Sequence, residues 1–117
     1  MIDARLFTER WLAAWNGRDV DAVLALFHDD VVFTSPLAAK VVPDSGGVIH
    51  GKAALEAYWS AALAQLPEAR FELTGLFAGV DSLLIGFRIN GGPERFDILR
   101  FRGDRASEGH GTYRVEA

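Results

Sequence analysis

The sequence predicts an α+β fold, a single domain over residues 1–117 with helices first and an antiparallel sheet after them. Three observations carry this. Apolar residues recur at helical spacing through the first half of the chain, up to Leu66. From Arg70 onward, β-branched and aromatic runs alternate with Gly-, Asp- and Asn-rich turns. The chain also has 117 residues, 50% of them hydrophobic, which suffices to bury a core without the disulfides its lack of cysteine rules out.

Each element follows from local chemistry. Phe7, Trp11 and Trp15 lie four apart, and Leu6, Leu12 and Ala14 widen their stripe into one helix face. Asn16-Gly17 tolerates the left-handed conformation and stops that helix. Asp19 caps a short second helix with Val20, Val23, Leu24 and Phe27 inward, and His28-Asp29-Asp30 is expected to end it at the surface. Val31–Ser35 reads as a strand that Pro36 terminates. Residues 36–50, rich in Pro, Gly, Asp and Ser, form the longest irregular stretch. From Gly51 the helical period returns in Leu55, Trp59, Ala62, Leu63 and Leu66, closed by Pro67. Four strands complete the chain: Arg70–Phe77 with a bulge or bend at Gly75, Leu83–Asn90, Glu94–Arg102, and Arg105–Val115.

Charge narrows the partners. Twelve Lys+Arg against sixteen Asp+Glu give a net −4 with no basic run, so neither nucleic acid nor an anionic membrane is an expected partner. No apolar stretch approaches the ~18 residues a membrane helix needs. The start Met1-Ile2-Asp3-Ala4-Arg5 lacks a basic segment followed by an apolar one, and a soluble cytoplasmic protein is the expectation. The absence of cysteine excludes thiol catalysis, Cys-ligated zinc and iron–sulfur clusters. His28, His50 and His110 show neither HExxH nor HxH spacing, so neither a metal nor a cofactor is expected.

The final hairpin yields the sharpest chemical expectation. With Gly103-Asp104 as a two-residue loop, Arg102 faces Arg105 and, counted back in register, Asp97 faces His110 on one face with Leu99. A carboxylate beside an imidazole fixes its tautomer and raises its basicity, which makes a general base. The same pair also fits an ordinary cross-strand ion pair, and a single bulge would separate the two side chains. In this register Phe96 and Ile98 lie over Gly111 and Gly109 on the other face. Ile85, Phe87, Phe96 and Ile98 would then form an outer apolar surface needing a partner subunit.

Three segments resemble the nuclear transport factor 2-like superfamily over essentially the whole chain. They are Trp11-Leu12-Ala13-Ala14-Trp15-Asn16-Gly17-Arg18-Asp19, then Ala25–Pro36, then Gly51-Lys52-Ala53-Ala54-Leu55 with Tyr58-Trp59. Within the superfamily the chain is similar to SnoaL-like proteins, related to polyketide cyclases, and more distantly to ketosteroid isomerases. The resemblance implies a cone, a curved antiparallel sheet around three helices with an internal apolar pocket, and a homodimer through the outer sheet face. It also implies that Trp11 and Trp59 stand where the isomerases carry pocket tyrosines, and that Asp97 corresponds to a protonated oxyanion-hole aspartate. The isomerases' basic aspartate before proline is Ser35 in this chain, a hydroxyl too weak to abstract a carbon-bound proton unaided.

The expected function follows. The chain binds a small, largely apolar or aromatic molecule in a pocket lined by Trp11, Trp15, Phe33, Ser35, Trp59 and Leu99. Asp97 and His110 are the candidates for isomerase-, cyclase- or hydratase-type acid–base chemistry. The alternative is a non-catalytic binding or dimerisation module on the same fold.

Overall fold

Four α-helices pack on one face of a six-stranded sheet in a computed structural model that describes residues 2–116. Helix α1 (Ala4–Asn16) starts where the Asp3 carboxylate accepts the Leu6 N–H at 3.0 Å and turns Phe7, Trp11, Ala14 and Trp15 inward. Asp19 caps α2 (Val20–Leu24) through the Ala22 N–H, as its position before the apolar run predicts. The turn between them departs from expectation. Gly17 stays right-handed at φ −80°, and Arg18 takes the left-handed conformation at φ 54°. Its guanidinium thereby reaches the Leu66 and Leu63 carbonyls at 2.7 and 2.8 Å and caps the C-terminal end of α4 (Lys52–Ala64).

Two segments read differently in three dimensions. Strand β1 runs from Phe27 to Thr34, so His28-Asp29-Asp30 belongs to a strand and does not end a helix. The two aspartates project from the sheet into solvent, where Asp30 pairs with Arg102 at 2.9 Å and Asp29 with Lys52 at 3.4 Å. Residues 36–50 are ordered instead of irregular. Ser35 is the N-cap and Pro36 opens α3 (Pro36–Val41), a 3-10 turn follows at Pro43–Ser45, and β2 (Val48–His50) pairs antiparallel with β1. Ser-Pro ends a strand and begins a helix at once, because proline's missing N–H is one that a first turn leaves unpaired anyway. Among the described residues the α-helices therefore number four, with α3 added to the expected three.

Strands β3 (Phe71–Ala78), β4 (Ser82–Ile89), β5 (Arg95–Arg102) and β6 (Arg105–Gly111) form the expected meander. Parallel pairing of β1 with β6 completes the order β2-β1-β6-β5-β4-β3, which leaves the sheet curved and open. A bulge next to Gly75 appears where the sequence suggests one, between Leu73 and Gly75. Strand β6 stops at Gly111, short of Val115. Thr112 then clamps β5, its hydroxyl donating to the Phe96 carbonyl at 2.6 Å.

The faces also sort differently. Ile85 and Phe87 are buried on the concave side, not on the outer surface, because the β4 residues Leu83, Ile85 and Phe87 alternate toward the helices. The outer face carries Leu84, Phe96, Ile98 and Phe77, the last 62% exposed. Phe96 does lie over a glycine, but over Gly86 of β4, where an added Cβ would come within 2.8 Å of its ring. Gly109 and Gly111 face inward.

Asn16 joins the two layers. Its amide donates to the Phe71 carbonyl at 3.0 Å and accepts the Phe71 N–H at 2.7 Å, satisfying the start of β3 from the end of α1. Asn16→Ala leaves both backbone groups half-buried and unpaired. It is expected to lower stability by about 1–3 kcal/mol in urea unfolding, without change in m-value.

Candidate functional site

Helices α1 and α4 meet the concave face of β3–β6 over a cavity of about 80 Å³. Its wall is aromatic: Trp11 and Trp15 from α1, Trp59 from α4, Phe33, Phe71 and Phe87 from the sheet. Trp59 meets Trp15 edge-on at 5.1 Å and Phe33 at 5.3 Å, while Trp15 stacks on Phe71 at 5.4 Å. Helical spacing places Trp11 and Trp15 on one stripe, and strand alternation brings Phe87 to the same side. The Trp15 indole N–H is buried in this wall without an acceptor among the described residues.

Polar groups gather at one end. Ser35, between β1 and α3, accepts the Tyr58 hydroxyl at 3.1 Å and the Leu37 N–H at 3.2 Å. Its own hydrogen remains to be donated. Across Gly111 stands Asp97: a Cβ added at Gly111 would lie 3.4 Å from Ser35 Oγ and 3.7 Å from Asp97 Oδ1. Glycine thus keeps open the space between hydroxyl and carboxyl. Asp97 makes no side-chain hydrogen bond among the described residues and is only 9% exposed. Burial pushes its pKa from 3.8 to about 7, against an opposing pull from the Arg95 charge. Burial likewise raises the Tyr58 phenol, which the Ser35 hydrogen bond partly offsets.

The expected Asp97–His110 pair does not form. A bulge in β6 leaves Ser107 unpaired between the Phe101–Ala106 and Arg100–Glu108 pairs, and the register slips by one residue. Asp97 therefore faces Gly111, and His110 faces Ile98 on the outer side. There the imidazole contacts Thr34 Oγ1 through Nδ1 at 2.6 Å and Glu108 Oε2 through Nε2 at 2.6 Å. An ionised Glu108 can only accept, which assigns a hydrogen to Nε2 and, in the neutral ring, makes Nδ1 the acceptor for Thr34.

Of the other expected site residues, Trp11, Trp15, Phe33, Ser35 and Trp59 line the cavity together with Asp97. Leu99 does not; it is fully buried against Gly109 in the core. The sequence reading missed Tyr58 and Arg95 as site residues. Tyr58 adjoins Trp59 on α4, and Arg95 shares the strand parity of Asp97, so alternation on β5 is a sufficient signal for it. Among the described residues no three His, Asp or Glu side chains gather as metal ligands would, and no helix is long and apolar enough to cross a membrane.

Residues 8–117 match the model of the SnoaL-like domain, and the chain belongs to that family. A SnoaL-like protein of unknown function from Burkholderia thailandensis is 32% identical, with a TM-score of 0.88 over 96% of this chain and 94% of that one. TerC, co-crystallised with polyporic acid, superposes with a TM-score of 0.76 at 16% identity, covering 95% of this chain and 91% of its own. A protein of ketosteroid isomerase-like fold from Catenulispora acidiphila, in complex with trimethylamine, gives 0.63 at 19% identity over 92% and 84%. The last two likenesses establish the fold alone. No functionally curated relative matches the chain.

The buried carboxyl has a measurable signature. Its folded-state pKa is raised, so the native state holds a proton that the unfolded state has released, and stability falls as pH climbs from about 4 to about 7. Asp97→Asn escapes this loss. Denaturant unfolding should show the variant gaining on the wild type with rising pH, by up to about 4 kcal/mol, and levelling off above about pH 7.

Proposed function

We propose that the chain binds a small, largely apolar or aromatic molecule in the Trp-lined cavity. Asp97 presents its carboxyl hydrogen to a polar atom of that molecule. One observation carries the reading: a carboxyl without a partner among the described residues, set in an aromatic wall and held near neutrality by burial. A cavity of about 80 Å³ encloses only part of a six-membered ring, since benzene fills a cavity of about 150 Å³, so a ring-sized ligand would also occupy the cavity's open side. TerC and the Catenulispora protein, each crystallised with a small organic molecule, support a ligand role for this fold.

The chemistry that suits Asp97 is proton transfer. With a pKa of about 7 it is populated in both forms at neutral pH, and can give a proton to a carbonyl oxygen and take one from a neighbouring carbon. Isomerisation, cyclisation and hydration of carbonyl compounds all need such a group. Ser35 and Tyr58 position the substrate and supply further hydroxyls. One observation favours the non-catalytic alternative. Ser35 Oγ already accepts two hydrogen bonds, and beyond Asp97 no carboxylate or imidazole lines the cavity among the described residues.

Quenching of tryptophan fluorescence by 2-cyclohexen-1-one tests the contact. Affinity is expected to fall about tenfold between about pH 6 and about pH 8.5 as Asp97 loses its hydrogen, and to stay flat in Asp97→Asn. A flat wild-type profile removes Asp97 from the ligand. For any substrate turned over, Asp97→Asn should lower kcat by about 10²-fold or more; ligands retained without turnover mark the binding module. We also place a second copy of the chain on the outer sheet face, which Phe77, Leu84, Phe96 and Ile98 leave apolar. Phe77→Glu is expected to shift sedimentation from dimer to monomer.

A further inference from the structure

Arg95 brings a positive charge into this largely aromatic cavity, and among the described residues it is the one basic side chain in the wall. Its guanidinium lies over the Tyr113 ring at 4.5 Å and over the Phe87 ring at 5.3 Å. The group forms no ion pair and donates no hydrogen bond among the described residues, and its Nε is buried without an acceptor. The obvious intramolecular partner fails. Asp97 lies two positions along the same strand face, yet does not come within ion-pair distance.

Aromatic contacts hold a guanidinium by its flat faces, while all five of its hydrogens point outward in its plane. The rings of Phe87 and Tyr113 therefore orient Arg95 without using its donors. Arg95 is half-buried: its Nε is desolvated without an acceptor, while the two terminal nitrogens keep their donors free at the cavity's edge, and two oxygens on one carbon match such a fork best. We infer that the cavity selects small aromatic or alicyclic carboxylates, with the carboxylate on Arg95 and the ring among Trp15, Trp59 and Phe71. This specificity rests on the cavity being a ligand pocket and adds to that reading the class of molecule it takes.

The surroundings agree. The titratable or charged groups near the fork are Asp97 on the same strand and Tyr58 from α4 on the cavity side, and Glu94, Tyr113, Arg114 and Glu116, which share a shallow outer depression with Arg95. Helix α1 and strand β4 add only apolar wall through Trp11, Trp15, Phe87 and Ile89. Asp97 is the single carboxyl in the wall among the described residues, and burial keeps it protonated in mildly acidic solution. In that form it repels no anion and offers a hydrogen to one. Once ionised it opposes an incoming carboxylate, so carboxylate binding weakens as pH rises through about 7.

Benzoate and benzamide, alike in shape and different in charge, provide the test on the full chain by calorimetry and tryptophan fluorescence. At about pH 6 benzoate should bind about tenfold tighter or better, since its charge alone finds the fork. Arg95→Met should bring the ratio to about one, and Arg95→Lys, which keeps the charge but not the fork, should lower it about threefold or more. The ratio should fall severalfold between about pH 6 and about pH 8 in the wild type and hold constant in Asp97→Asn. Equal affinity for the two probes in the wild type overturns the carboxylate inference and leaves the pocket standing. So does a ratio that survives both Arg95 substitutions. Binding of neither probe overturns the pocket itself, and the inference with it.

Discussion

Trp11, Trp15 and Trp59 fill the concave side of a sheet that never closes on itself, and the architecture depends on that filling. An open sheet with an apolar concave face must be covered by helices. Here α1 and α4 supply the cover mainly through indoles, which reach across the gap that smaller side chains would leave. Large rings meeting edge to face interlock without filling space as evenly as aliphatic chains. The residual space is the cavity, so the packing that stabilises the fold also shapes the site. Asn16 and Arg18 keep the covering layer in place by bonding one helix to the sheet and to the other helix.

Within that wall, polar groups acquire their properties from what surrounds them. Asp97 is an ordinary aspartate whose burial makes the neutral form the comfortable one, and Arg95 restrains the effect without pairing with it. The separation is informative. A direct ion pair would have locked both side chains and lowered the carboxyl's pKa; apart, each keeps capacity for a third group. Phe87 and Tyr113 bear on Arg95, and Gly111 leaves room before Asp97, so backbone and rings position both charged groups in the wall.

Much of this was legible in residue order. The Phe7–Trp11–Trp15 stripe, the Asp19 cap, the bulge near Gly75 and the Gly103-Asp104 turn all appear where local chemistry puts them. Most of the cavity wall was legible too, because a helix stripe and a strand alternation need only parity to be placed. The failures have two causes. Residues 36–50 fold around Ser35 because a Ser-Pro step both ends a strand and starts a helix, and local preference cannot rank the two outcomes. His110 parted from Asp97 because one extra residue, Ser107, entered β6 opposite no partner. Nothing at Ser107 announces a bulge as a glycine would.

The sequence by itself determined the fold class, the order of elements outside residues 36–50 and the family, since these rest on periodicities and caps that operate within a few residues. It also determined the stock of chemistry, with aromatic rings in excess and no thiol. The tertiary structure alone decided which polar groups meet. Strand register changes every side chain's face with a shift of one residue, and that register is settled by long-range pairing of β6 with both β5 and β1. Desolvation is likewise a property of the assembled wall. Only there do Asp97, Arg95, Ser35 and Tyr58 come to line one cavity, and His110 to bond Thr34 and Glu108 on the outer face.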